Sequence, residues 1–222
     1  VAVRGPHAAA ALFLAYLVAL PLGIFAGLRA HSRLERGVAA AVFALYCVPV
    51  FWGGLLLQLL FGATGLDWLP VLASADSEAG LLVRLRHGIL PVVTLAYPSF
   101  AYLSRQMRAG LLDALAADYV RTARAKGLAE RLVVLKHALP NALLPVATLF
   151  AGVLPALIGG SVVVETLFDL PGMGRYAYEG LEQRDWFIVL GTTTLAGLAT
   201  CLGVLVSDLL TAALDPRIRH GG

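Results

Sequence analysis

Residues 104–141 read SRQMRAGLLDALAADYVRTARAKGLAERLVVLKHALPN. This polar stretch decides the fold because of what flanks it. Five apolar runs, 8–28, 38–61, 88–103, 142–164 and 188–213, occupy most of the remaining chain. Each is near the length needed to cross a hydrocarbon core of about 30 Å. The third run is short and carries Pro91 and Pro98. It is expected to kink and to continue as helix into the polar stretch, because spanning helices tolerate proline where neighbours satisfy the freed carbonyl. The runs are continuous rather than alternating, which excludes a β-barrel. The expected fold is therefore all-α, a polytopic membrane helical bundle forming one domain over 1–222.

Composition agrees. The 222 residues are 59% apolar and 14% charged, against roughly half and a quarter in soluble domains. Mean hydropathy is +0.81. A soluble enzyme, a disordered segment and a nucleic-acid module are all disfavoured. A net charge of +3 is too small to hold a polyanion. Cys47 and Cys201 each lie inside an apolar run and read as small core residues. The five histidines show no ligand spacing, so no metal site is expected.

Basic residues orient the bundle. The loops 29–37, 62–87, 104–141 and 165–187 and the tail after 213 carry 3, 2, 7, 2 and 2 Lys or Arg. The excess places 29–37 and 104–141 in the cytoplasm, with the tail inside and the N-terminus outside. An outside N-terminus without an initiator Met or a signal peptide leads us to expect a missing upstream helix, with trimming of the chain as the alternative. Gly23 and Gly27 form a GxxxG, which is either a packing contact or a chance match among 23 glycines.

Within 104–141, Leu103, Met107, Leu111 and Leu115 recur every fourth residue and define one apolar helix face. Asp118 is positioned to cap a short helix over 119–126. Gly127 sits where a C′ glycine stops such a helix. Arg121, Arg124 and Lys126 decorate it, and a second helix runs from about Ala129 toward Leu139 and Pro140. A short basic helix held between two spans suits docking to a cytoplasmic partner. The simpler alternative is an ordinary positive-inside loop.

These residues resemble the membrane subunits of ABC importers, in their dipeptide/oligopeptide/nickel class. The family motif is EAA, three residues, Gly, nine residues, then I-x-L-P. Here Arg121, Thr122 and Ala123 stand at the EAA places, Gly127 at the glycine, and His137, Ala138, Leu139 and Pro140 at the end. The departures from the general motif match the RTARAKG form usual in this class. PVFW (49–52), HALPNALLPV (137–146), GGSVVVETLFDLPGMGR (159–175), RDW (184–186) and SDLLTAALDPRIR (207–219) resemble further class segments in the same order. Family members usually have six spans, so five fits that pattern without its first helix.

The resemblance implies half of a translocation pore in a bacterial or archaeal cytoplasmic membrane. The implied partners are a second permease subunit, two cytoplasmic ATPase subunits and an extracytoplasmic substrate-binding protein. Asp118, Tyr119, Arg121, Thr122, Ala123, Arg124, Ala125, Lys126 and Gly127 would couple to the ATPase. ATP and Mg would be bound by that partner; this chain has no GxxxxGK[ST] and needs neither cofactor nor catalytic residue. A stand-alone carrier or channel driven by an ion gradient is the alternative, and a non-transporting membrane scaffold a third.

Pro140, Pro145 and Pro155 fall within or at the edge of one run and interrupt its hydrogen-bond ladder, for a bendable pathway helix or for static kinking. Asn141 either lines the pathway or satisfies carbonyls freed by the prolines. Pro171-Gly172-Met173-Gly174 calls for a tight turn. The resemblance makes Glu165, Phe168, Pro171, Gly172 and Gly174 parts of an extracytoplasmic gate, rather than of an ordinary acidic loop. Asp208 is an intramembrane carboxylate, a functional candidate by type; a structural pair with Arg217 or Lys136 is favoured over substrate contact. Asp215-Pro216-Arg217 is expected to stop the last helix.

Overall fold

A computed structural model describes residues 5–62, 65–72 and 80–214, and every regular element among them is helical. The chain runs through α1 (Gly5–Leu28), α2 (Arg33–Cys47), α3 (Val50–Phe61), α4 (Leu81–Ala116) and the short α5 (Asp118–Ala125). A segmented helix follows: α6 (Glu130–Leu132), a π turn (Val133–Ala138), α7 (Leu139–Ala142), α8 (Leu144–Thr148), a 3-10 turn (Leu149–Gly152) and α9 (Val153–Gly159). Then come α10 (Val162–Leu167), α11 (Met173–Glu182) and α12 (Trp186–Leu214).

The frame is a parallel pair, α1 against α4. Ala11, Ala15, Ala19, Gly23 and Gly27 recur every fourth residue on α1, which lets a second backbone come close. A Cβ on Gly23 would lie 2.6 Å from Met107 Cβ, and one on Gly27 2.8 Å from Leu111 Cδ2. The GxxxG is thus a packing contact. The face 103–115 is buried as expected, with Met107 and Leu111 fully enclosed. α12 lies antiparallel to the segmented helix, where Ser207 Oγ donates to Thr148 O at 3.1 Å.

Three expectations change here. By length and composition, His7–Leu28, Glu130–Leu167 and Trp186–Ala213 are able to cross a membrane, and a fourth span exists if the α2–α3 pair counts as one. The run 38–61 is bent by 98° between α2 and α3. Pro49 lacks an N–H and pushes Val48 into extended geometry, and the Tyr97 hydroxyl donates to Val48 O at 2.9 Å, fixing the bend. The run 88–103 does continue into the polar stretch, within the 36-residue α4, about 54 Å long, but α4 is not among the described helices apolar enough to cross by composition. That helix is central, and Leu90, Thr94, Ala96, Tyr97 and Ala101 are covered by protein, so it does without an all-apolar surface. Cys47 and Cys201 are exposed rather than core; a helix in lipid turns apolar side chains outward as readily as inward.

Candidate functional site

The sequence-selected residues gather at two ends of α4. One end is α5. Val120 and Ala123, one turn apart, enter a cluster made by Met107, Leu111, Ala114, Val133 and Ala138. The other α5 residues are exposed. This is an amphipathic helix held by two small anchors.

Its start differs from expectation. Ala117 is the N-cap and makes no side-chain cap bond; Asp118 is the first helical residue, and its carboxylate lies 3.4 Å from Arg121 Nη1. A carboxylate there still complements the helix dipole. The stop is as expected. Gly127 has φ +77°, the left-handed region that glycine enters without penalty. Gly127 N–H donates to Arg124 O at 2.9 Å and Leu128 N–H to Ala123 O at 3.4 Å, the paired bonds of a Schellman end. Arg124 bridges back across the stop, with Nε and Nη2 donating to Glu130 at 3.1 and 2.6 Å. Those hydrogen bonds raise the Arg124 pKa. Arg124 is thus engaged inside the loop, while Lys126 projects free of any ion pair among the described residues.

Beyond α5, the π turn absorbs Pro140: Leu139 N–H reaches back to Val134 O, which shifts the register before the proline removes a donor. Asn141 Nδ2 donates to His137 O at 2.9 Å, so it satisfies backbone. Pro145 packs beside Gly110, where an added Cβ would lie 3.3 Å from its ring.

The other end is α10–α11, beside Leu90 and Thr94 near the start of α4. Leu90 and Leu111 are separated by about 30 Å of helix, one hydrocarbon thickness. Here Glu165 is buried at 4% exposure. Its Oε1 accepts from Ser161 N–H at 2.7 Å and its Oε2 from Arg175 N–H at 2.6 Å, tying the first turns of α10 and α11 together. Gly174 lies against it: a Cβ there would sit 2.9 Å from Val162 N. Phe168 is fully buried. The reversal is not at 171–174. It falls at Asp169, φ +50°, with Leu170 N–H donating to Glu165 O at 2.8 Å; Gly172 is the extended N-cap of α11 and Pro171 is exposed. Arg175 pairs with Asp169 at 2.7 Å and Glu179 at 2.9 Å, and these bonds raise its pKa.

Asp208 is exposed on α12 and makes no ion pair with Lys136 or any other described residue. Arg217 and the Asp215-Pro216-Arg217 stop lie outside the described residues. Sequence reading missed one ion pair, the half-buried Arg108 Nε to the buried Glu35 Oε1 at 3.0 Å, joining α4 to α2. Ser32 and Glu35 do stand at capping-box spacing, and Glu35 N–H donates to Ser32 Oγ at 3.0 Å, but that spacing marks only the start of α2 and does not point to Arg108.

A helical bundle with several membrane-length apolar helices and a short amphipathic helix between two of the long ones is the architecture of a polytopic membrane permease. The family described as binding-protein-dependent transport system inner membrane component matches residues 19–220, and the chain belongs to it, as an ABC importer permease. It is 38% identical over 209 residues to the oligopeptide transport system permease protein AppB of Bacillus subtilis, covering 93% of this chain and 66% of that one. It is 36% identical to the di/tripeptide transport system permease protein DppB of Pseudomonas aeruginosa, covering 95% and 68%. It is 31% identical to the dipeptide transport system permease protein DppB of Escherichia coli, covering 95% and 68%. The chain thus spans about two thirds of the length of these relatives.

Proposed function

We propose that this chain forms one half of the translocation pathway of an ATP-driven importer for short peptides, and that α5 is the element received by a cytoplasmic ATPase. The observation that carries the reading is α5 itself: two buried anchors, a rigid Schellman stop and an otherwise solvent-facing surface. Such a helix presents a surface without needing to fold on contact, which lowers the ordering cost of association. The relatives' names supply the peptide class, and the family's description an inner-membrane setting. On this reading α5 faces the cytoplasm and α10–α11 the outside, where a substrate-binding protein delivers its cargo. A second permease subunit completes the pore, and two ATPase subunits bind ATP and Mg.

Arg121→Cys tests the docking. In membranes holding the whole transporter, a short bifunctional thiol reagent is expected to link it to a cysteine in the ATPase cleft, with a yield that changes on adding ATP. No link to the ATPase, or a yield that ATP leaves unchanged, contradicts docking.

A further inference from the structure

We propose that the groove between α1, α2 and α4 is a binding site for one anionic phospholipid of the surrounding bilayer. The groove encloses about 290 Å³. Its walls are Leu22 of α1 and Val38, Val42 and Phe43 of α2, apolar and wide enough for acyl methylenes. Its polar end holds Glu35, Arg105 and Arg108. Glu35 and Arg108 neutralise each other at 3.0 Å. The uncompensated charge is therefore Arg105, which is exposed and without an ion pair among the described residues.

Arg33 and Arg36, on the first turns of α2, are likewise exposed and unpaired. Among the residues lining the groove the one acid is Glu35, neutralised by Arg108, so the lining carries a net positive charge. The depth fits as well. The apolar run of α1 ends at Leu28 and Arg29 follows, while α2 passes from basic to apolar between Arg36 and Val38. The groove thus straddles the boundary where a lipid headgroup meets its chains. A small soluble anion would leave the apolar wall bare, and a zwitterionic headgroup would leave the excess charge unanswered. An anionic phospholipid satisfies both, as basic pockets between membrane helices do elsewhere.

The test uses the full chain with the subunits that accompany it, in nanodiscs of phosphatidylcholine and phosphatidylglycerol, followed by native mass spectrometry after mild extraction. The unaltered protein is expected to retain phosphatidylglycerol in preference to phosphatidylcholine. Arg105→Gln, at an exposed position that does not threaten folding, is expected to weaken that retention about fivefold, the equivalent of ~1 kcal/mol. Val42→Trp, which fills the groove, is expected to abolish it while leaving Arg105 in place. Equal retention by all three proteins, or no headgroup preference, overturns the proposal. So does high-yield cross-linking of Ala39→Cys to another protein subunit, which would place protein in the groove.

Discussion

The two ends of α4 hold their short helices by different physics. At one end, α5 is seated by Val120 and Ala123 in an apolar cluster, a non-directional attachment that specifies position more than angle. At the other, α10 and α11 are joined through the Glu165 carboxylate and two backbone N–H groups, which specify angle because hydrogen bonds weaken steeply off-line. Both ends stop their helices with the same backbone device, a left-handed residue followed by a six-to-one bond: Gly127 after α5, Asp169 after α10 and Arg184 after α11. The contrast separates a piece that keeps its own shape on a soft mount, as the proposed docking requires, from a piece whose geometry is set internally.

The largest effect is expected where the directional bonds are lost. Glu165→Ala leaves the Ser161 and Arg175 N–H groups without their acceptor, a destabilisation of about 2–5 kcal/mol. It should appear as a lower unfolding temperature in detergent and faster proteolysis between Phe168 and Arg175. Glu165→Gln retains shape with a single acceptor and is expected to fall between the two. A Gln variant no better than Ala would show that the remaining acceptor contributes nothing, and wild-type stability in both would break the contrast.

Next in size is the apolar mount. Val120→Ala removes two buried methyl groups, about 2 kcal/mol. Its expected signature is local: faster amide exchange across α5 with little change in α10–α11. Uniform loosening of both ends would show that the two mounts are one cooperative unit.

The smallest effect concerns the Arg124–Glu130 bridge. Both groups are exposed, so Arg124→Ala should leave global stability almost unchanged. Only the exchange of amides around Gly127 is expected to quicken. Restoration by the swapped pair, Arg124→Glu with Glu130→Arg, would assign that change to the bridge itself.

What was legible in the sequence was local. The periodicity of 103–115, the stop at Gly127, the end of α1 at Leu28 and the start of α12 at Trp186 follow from side-chain type and spacing over a few residues. What was not legible depended on distant partners. The 98° bend after Cys47 needs Tyr97, forty-nine positions on, to take up Val48 O. The reversal at Asp169 rather than Gly172 reflects Glu165 and Arg175, which select an aspartate for a left-handed site. A proline–glycine pair there opens a helix instead of turning the chain. Asp118 looked like a cap because the residue type is right, yet the helix begins one residue earlier. The pairing of Glu35 with Arg108 crosses two loops that charge counting treats separately.

The central proposal is that α5 transmits ATPase closure to the membrane helices. Its most direct measurement is uptake of a labelled short peptide set against ATP hydrolysis, in proteoliposomes holding the complete transporter with Arg121→Glu and Lys126→Glu in this chain. Both side chains face solvent, so folding and insertion should be unaffected. Uptake per ATP is expected to fall about tenfold, the equivalent of ~1.4 kcal/mol of lost interaction. Uptake per ATP equal to that of the unaltered protein, with α5 reversed in charge, would contradict the account.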